Sequence, residues 1–242
     1  MWNGNGNVGK ARAFFLAALI VSTGGCDLGA APPQGPNAVG NSPESRPPKV
    51  RYQLDAARDR VWFLTRDGAF LYDVAKSEKI VVPLPDWLWV DTPYGCLPDL
   101  ALGPKGEAVI TSNILPTLWR IDPETLAVSV HPLALDADAD KDVGFSGLAY
   151  SSEHTAFFAV SYVHGSLWRI DPLFRRAQKI SLSAPIPKAC GLVVQPRIVQ
   201  QRTNRRAVLC VRAPQGGWAI DFELGQRSAY VRAASCTDRE HA

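Results

Sequence analysis

The chain has 242 residues, 46% of them apolar and 20% charged, so it can bury a substantial hydrophobic core. Its formal net charge is +3, and removal of an N-terminal stretch that contains Lys10 and Arg12 leaves about +1. This balance gives no electrostatic reason to expect a nucleic acid as a partner.

Residues 1–25 have the pattern of a signal peptide: two cations, then the apolar run 13–21, then small residues before Cys26. The run is too short to span a bilayer, which needs roughly 20 residues. Small residues before a cysteine resemble a bacterial lipobox, which implies lipid attachment at Cys26. Thr23, three positions before Cys26, departs from the aliphatic residue that is usual there. The alternative is an ordinary secreted protein without a lipid anchor.

Residues 26–48 follow as the anchor cysteine and a linker rich in proline, glycine, asparagine and serine. Such a composition predicts an extended, disordered tether. We therefore expect a lipid-anchored protein of the bacterial periplasm or outer membrane, or alternatively a secreted one. The anchor is the predicted contact with the membrane.

A short pattern, an aromatic residue three positions before an aspartate, recurs four times. The aspartates lie 49, 49 and 50 residues apart, and such a period indicates stacked supersecondary units. The four copies are Phe70 to Asp73, Trp119 to Asp122, Trp168 to Asp171 and Trp218 to Asp221.

Each repeat contains short apolar runs separated by turn-forming residues, which predict antiparallel strands. In the first repeat these runs are 50–55, 61–65, 69–74 and 79–84. Since residues two apart share a face of a strand, Trp119 and Ile121 point one way and the intervening arginine points the other. The aromatics can then pack between units, and each following aspartate can bond the backbone amides of a turn.

The segments LWRIDPETLAVSV and GLAYSSEHTAFFAVSYVHGSLWRIDP are similar to blades of the bacterial β-propeller superfamily that includes YVTN, NHL and SMP-30-like repeats. This resemblance implies an all-β protein, a β-propeller of about four four-stranded blades over residues 49–232, with 233–242 as a C-terminal tail. A closed ring is the first expectation. The alternative is a partial propeller completed by dimerisation.

In a four-stranded blade, the loops between the second and third strands share one rim with the links between blades. Exposed aromatic side chains on a rigid frame are favoured anchors for a partner, so this rim is the candidate binding surface. The alternative for its aromatics is that they cap the core between the first two blades. The candidate residues are Trp87, Trp89, Tyr94, Asn113 and His164.

Alternating carboxylates on the same rim resemble a short calcium loop, in which hard oxygen ligands converge on the ion. The candidate ligands are Asp138, Asp140, Asp142 and Ser146. A solvated acidic loop is the alternative, and no other cofactor is expected.

Four cysteines remain once Cys26 is assigned to lipid, and an exported chain can keep disulfides. These candidates are Cys96, Cys190, Cys210 and Cys236. Cys190 and Cys210 flank a predicted hairpin and are the favoured pair, with the other pairings and free buried thiols left open.

No nucleophile, acid–base pair or phosphate-binding loop stands out, which favours a non-catalytic module that binds a protein or ligand in the cell envelope. The expected partner is an envelope protein or a small ligand on the aromatic rim, and the module is expected to be a monomer or a homodimer. The alternative function is an SMP-30-like metal-dependent hydrolase or lactonase, for which the inner strands supply Asp55 and Asp99.

Overall fold

The computed structural model describes residues 50–91, 96–136, 144–195, 208–213, 216–221 and 228–234. These residues form strands and turns only. Within them there is no helix long and apolar enough to cross a membrane. The predicted signal peptide, Cys26, the tether and the tail from residue 235 lie outside the described residues.

Seventeen strands are described, and sixteen of them form four blades in chain order. Blade 1 consists of β1 (Arg51–Asp55), β2 (Arg60–Thr65), β3 (Gly68–Asp73) and β4 (Glu78–Val82). Blade 2 consists of β5 (Leu100–Leu102), β6 (Ala108–Thr111), β7 (Thr117–Ile121) and β8 (Val128–Pro132).

After the short strand β9 (Ala134–Leu135), the remaining two blades follow. Blade 3 consists of β10 (Gly147–Ser151), β11 (Ala156–Val160), β12 (Leu167–Ile170) and β13 (Arg176–Leu182). Blade 4 consists of β14 (Leu192–Gln195), β15 (Val208–Ala213), β16 (Gly216–Asp221) and β17 (Ser228–Ala234).

Within each blade, successive strands pair antiparallel, so the repeats are four-stranded meanders as the sequence predicts. The four predicted runs of the first repeat match β1 to β4 within two residues. The first strands of the blades, β1, β5, β10 and β14, contact one another in that order and form the inner edge of the arrangement. The protein is therefore a β-propeller of four four-stranded blades, and the fold prediction is confirmed.

Parallel pairing adds two contacts at the outer edge of blade 3. Its outer strand β13 pairs with β17 of blade 4 over Ser181 and Leu182. The same strand pairs with β9, which belongs to the link from blade 2. Blade 3 is thus tied to both neighbours through its outermost strand as well as through its faces.

The hydrophobic core consists of apolar layers between successive blades. Trp119 lies in the layer between blades 1 and 2, and Trp168 lies in the layer between blades 2 and 3. Trp218 is partly buried against the layer between blades 3 and 4. The repeated aromatic of each of these blades therefore packs against the preceding blade. Each such fully buried side chain contributes on the order of 2 to 3 kcal/mol through apolar burial.

The aspartate of the repeat closes the turn between the third and fourth strands, as predicted. The Asp122 carboxylate accepts hydrogen bonds from the amides of Glu124 and Thr125 at 3.0 and 2.9 Å. The amide of Lys76 donates to Asp73 at 3.1 Å, and the amide of Leu173 donates to Asp171 at 2.8 Å. These bonds hold the anionic form, and they lower the pKa of Asp122 and of Asp73.

Candidate functional site

Two ends of the blades can be distinguished. The first rim carries the loops between second and third strands and the links between blades, and the second rim carries the other two turns of each blade. The link from blade 1 to blade 2 crosses the first rim and holds Trp87, which is partly buried against the core of blades 1 and 2. Its indole Nε1 donates to the Thr111 carbonyl at 2.9 Å. Trp87 therefore caps the core between the first two blades, which is the alternative interpretation given above for the aromatic residues of this rim.

Trp89 has a different environment, beside Arg66, Leu88 and Asp91. We call these four residues together the Trp89 cluster. The indole Nε1 of Trp89 donates to the carbonyl of Arg66 at 3.2 Å, and the Arg66 guanidinium carbon lies 5.8 Å from the ring centre. Arg66 also forms an ion pair with Asp91. Leu88 is 57% exposed. The cluster combines an exposed apolar side chain, an aromatic plane and two opposite charges.

Asn113 is a predicted binding residue, but its side chain is buried and fully engaged. Its Nδ2 donates to the carbonyls of Val90 and Cys96 at 2.6 and 3.0 Å, and its Oδ1 accepts from the Val90 amide at 3.0 Å. Ser112 adds a bond from its hydroxyl to the Leu88 carbonyl at 2.6 Å. These residues position the Trp89 cluster from beneath, because they fix the backbone on both sides of Trp89.

His164 lies in an exposed turn of blade 3 on the same rim. Tyr94, the fifth candidate, lies outside the described residues, as do Asp138, Asp140 and Asp142. Ser146 is fully buried, and its hydroxyl donates to the Ala189 carbonyl at 2.6 Å. Among the described residues, no group of three His, Cys, Asp or Glu side chains is placed to hold a metal ion.

A cluster of polar side chains lies near the central axis of the propeller, at the end of the inner strands that is closer to the first rim. The buried Asp99 carboxylate accepts from the amides of Leu100 and Leu148 at 3.0 and 2.9 Å, and Arg51 lies 3.7 Å away as an ion pair. Arg51 also reaches the carbonyl of Cys190 at 3.5 Å. The side chain of Asp99 thus connects three blades. Asp55 lies at the opposite end of its inner strand, so the structure does not bring the two inner-strand acids together.

The disulfide in this region differs from the favoured pair. Cys190 is bonded to Cys96, with 5.5 Å between their Cα atoms, and Cys210 belongs to another disulfide. In the hairpin, Cys210 faces Val193 rather than Cys190, so the predicted pair is out of register. Cys236 lies outside the described residues. A disulfide in the fold is typical of an exported protein.

A serine–histidine pair lies on the second rim, in the turn between β10 and β11. The Ser151 hydroxyl and His154 Nδ1 are 2.9 Å apart, but both side chains are buried. Burial lowers the pKa of His154, and the nearby charge of Arg169 acts in the same direction. Blade 1 has Asp55 and Arg58 in the matching positions, 3.3 Å apart. The pair therefore closes a repeated turn and does not present a nucleophile to solvent.

Sequence reasoning missed Arg66 and Asp91 in the Trp89 cluster, and Arg51 on the axis. Arg66 and Asp91 are 25 residues apart, and only the turn between β2 and β3 brings them together. No periodic signal marks either residue. Blade geometry was needed to find them.

No family model matches the chain, and no curated protein matches it. Among solved structures, an auxiliary nutrient binding protein from Bacteroides thetaiotaomicron is similar with a TM-score of 0.52 and 11% identity, over 78% of this chain and 43% of that one. Virginiamycin B lyase from Staphylococcus aureus gives a TM-score of 0.48 and 10% identity, over 77% and 67%. The allergen Mala s 1 from Malassezia sympodialis gives a TM-score of 0.45 and 12% identity, over 73% and 60%.

The chain therefore spans 43% of the length of the nutrient binding protein and 60% of that of the allergen. The two bacterial proteins are propellers. Unrelated activities share this architecture, so a likeness at this level of identity establishes the fold alone. What the chain shares with the nutrient binding protein is the fold.

Proposed function

We propose that this protein is an exported, lipid-anchored β-propeller of the bacterial cell envelope, acting as a non-catalytic binding module. The observation that carries this proposal is the Trp89 cluster, in which exposed Leu88 and Arg66 lie beside the partly exposed Trp89 and Asp91 on a fixed backbone. Tryptophan and arginine are the residues most enriched among those that dominate protein–protein binding energy. The favoured partner is therefore a protein segment, with a small ligand as the second case.

The support beneath the cluster matters for affinity. A surface that is held in its bound conformation before binding loses less conformational entropy on association. Ser112 and Asn113 form hydrogen bonds with the backbone of the link on either side of Trp89. Near the beginning of the link, Trp119 Nε1 donates to the Pro85 carbonyl at 2.7 Å. The first described part of the link, residues 83–91, is thus attached to blade 2 at Pro85, Leu88 and Val90.

A photo-crosslinking amino acid in place of Leu88, in cells that make the full chain, tests the binding surface. The matched control is the same amino acid in place of Leu173, which is 64% exposed in a turn on the second rim. We expect a defined adduct from position 88, none from position 173, and loss of the adduct when Trp89→Ala is added. Equal labelling at both positions, or an adduct that Trp89→Ala leaves intact, contradicts the proposal.

Two further measurements address the rest of the proposal. Cys26→Ser should release the protein from the membrane fraction, and mass spectrometry should find lipid on the N-terminal cysteine of the unaltered protein. Release without any lipid would support the secreted alternative. Steady turnover of a lactone with divalent ions, lost on Asp138→Ala or Asp99→Ala, would instead establish the hydrolase alternative.

A further inference from the structure

The side chain of Asn113 holds two separate points of the link that carries the Trp89 cluster. Its Nδ2 donates to the carbonyls of Val90 and Cys96 at 2.6 and 3.0 Å, and its Oδ1 accepts from the Val90 amide at 3.0 Å. One side chain therefore connects the residue that follows Trp89 with the residue that leads into blade 2. A displacement of Cys96 changes the environment of Asn113 and, through it, the backbone beside Trp89.

Cys96 depends on the disulfide for its position. The end of the link is bonded to blade 2 at Asp99, whose amide donates to Thr111 Oγ1 at 2.8 Å and whose carbonyl accepts from the Thr111 amide at 3.0 Å. For Cys96 itself, the bonds that the described residues provide are the hydrogen bond from Asn113 and the disulfide to Cys190. The disulfide is therefore the covalent attachment of this link to another blade.

Cys190, in contrast, is held by bonds that do not require the disulfide. Its amide donates to the Arg212 carbonyl at 2.6 Å, and the Arg212 amide donates to the Gly191 carbonyl at 3.1 Å, which attaches this segment to β15. Arg51 adds a 3.5 Å bond to the Cys190 carbonyl. Cleavage of the S–S bond therefore leaves Cys190 in place and releases Cys96, so its effect is directed to the link that carries Trp89.

The two sulfurs also differ in their access from solvent. Cys96 is 3% exposed, whereas Cys190 is partly exposed. A disulfide is reduced when a thiolate reaches one of its sulfurs, and access is one of the factors that decide which sulfur is attacked. Attack at Cys190 makes Cys96 the leaving group.

We infer that the Cys96–Cys190 disulfide is a redox switch for the Trp89 cluster, an inference that rests on the binding role proposed above. The reductant is a dithiol protein of the cell envelope. One of its thiolates attacks Cys190 Sγ, the S–S bond breaks, and the electron pair leaves on Cys96 Sγ, which takes up a proton. The second thiol of the reductant then displaces Cys190 from the mixed disulfide. The reductant ends as a disulfide, and both cysteines end as thiols.

The oxidised protein is the binding form. In the reduced protein, Asn113 alone holds Cys96, and the link must be ordered again when a partner binds. Ordering a segment on association costs conformational entropy and weakens binding, so we expect affinity at the Trp89 cluster to fall at least about tenfold on reduction.

Hydrogen exchange measured by NMR on the purified full chain tests the switch without a partner. With dithiothreitol, the Val90 amide and the Trp89 indole N–H should exchange at least about tenfold faster, and reoxidation should restore their protection. The buried Phe158 amide in blade 3 should change much less, because it reports opening of the blades. Equal acceleration at all three positions, or unchanged protection of Val90, overturns the inference.

Cysteine variants separate this disulfide from the other one. Cys190→Ser should behave without reductant as the reduced protein does. Cys210→Ser is the matched control, since Cys210 belongs to another disulfide, and it should leave Val90 as protected as in the unaltered protein. Alkylation and mass spectrometry identify which cysteines dithiothreitol has reduced. Loss of Val90 protection in Cys210→Ser but not in Cys190→Ser overturns the inference.

The crosslinking assay at position 88 connects the switch with binding. The adduct should decrease at least about tenfold in Cys190→Ser and persist in Cys210→Ser. Full adduct yield from Cys190→Ser overturns the switch and leaves the proposed binding role intact. No adduct from the unaltered protein contradicts the binding role itself, and the regulatory role of the disulfide with it, whatever the exchange rates show.

Discussion

Cys96, which enters blade 2, is bonded to Cys190, which enters blade 4, so the disulfide connects two blades that are not neighbours in sequence. The pair closes a loop with a sequence separation of 94. Loops of this length restrict the unfolded chain strongly, and loss of such a bond costs about 2 to 5 kcal/mol.

Cys96→Ser should therefore lower the free energy of unfolding by about 2 to 5 kcal/mol, measured by urea denaturation without reductant. Cys190→Ser and the double variant should show the same loss, because each removes the same bond. Unequal losses among the three would mean that the thiols also act separately. An unchanged midpoint in all three would contradict a stabilising role for the bond.

The repeated aromatics should differ in cost according to their burial. Trp168 is fully buried between blades 2 and 3, so Trp168→Ala should destabilise the protein by about 3 to 5 kcal/mol. Phe70→Ala should cost clearly less, because the Phe70 side chain is only partly buried. Chemical denaturation of both variants measures the difference. Equal costs would mean that Phe70 is packed as well as Trp168.

Asn113→Asp should destabilise the link that carries Trp89. The substitution removes two donors and places a carboxylate against the carbonyls of Val90 and Cys96. We expect a loss of at least about 2 kcal/mol and faster proteolysis between residues 85 and 91. Urea denaturation and limited chymotrypsin digestion measure the two effects, since residues 85–91 contain tryptophan and leucine but no lysine or arginine. Unaltered stability would show that the amide network does not hold the link.

The strand pattern and the repeat period predict the fold well because both express local chemistry. Alternating apolar residues place β1 to β4 within two residues, and the aspartate turns form the expected amide bonds. The site was less accessible to prediction. The partners of Trp89 and of Cys96 are determined by how blades pack around the axis, which no local pattern encodes. Trp87 and Trp89 illustrate this, since one caps the core and the other lies on the rim although they are two residues apart.

Asp122→Asn should reduce stability at neutral pH. Backbone amides lower the pKa of Asp122 below its ordinary 3.8, so its charged form stabilises the fold above that pH, and this contribution is lost as the pH falls. The melting temperatures of the variant and the unaltered protein should converge in acid. Asp67→Asn, in an exposed turn, is the control and should change the melting temperature little. A constant gap at all pH values would contradict the assignment.

His154 should make the protein sensitive to mild acid. Its pKa in the fold lies below the ordinary 6.5 because of burial, so the unfolded chain takes up a proton first as the pH falls. Stability should decline from about pH 6.5 downward, until the pKa in the fold is passed. The pKa of His131 is lowered by burial too, so His131→Asn and His154→Asn should each flatten the profile. Melting temperatures between pH 5 and 7.5 measure this, and a full slope in both variants would contradict it.

The bond between blades 2 and 4 also depends on assembly of the chain. Cys96 lies before blade 3 in sequence and Cys190 lies after it, so packing of blade 3 between its neighbours is what holds the two sulfurs together in the native protein. A premature partner for Cys96 would tie the nascent protein in a form that cannot finish assembly. Correct oxidation of this pair is thus a covalent record that the third sheet has taken its place.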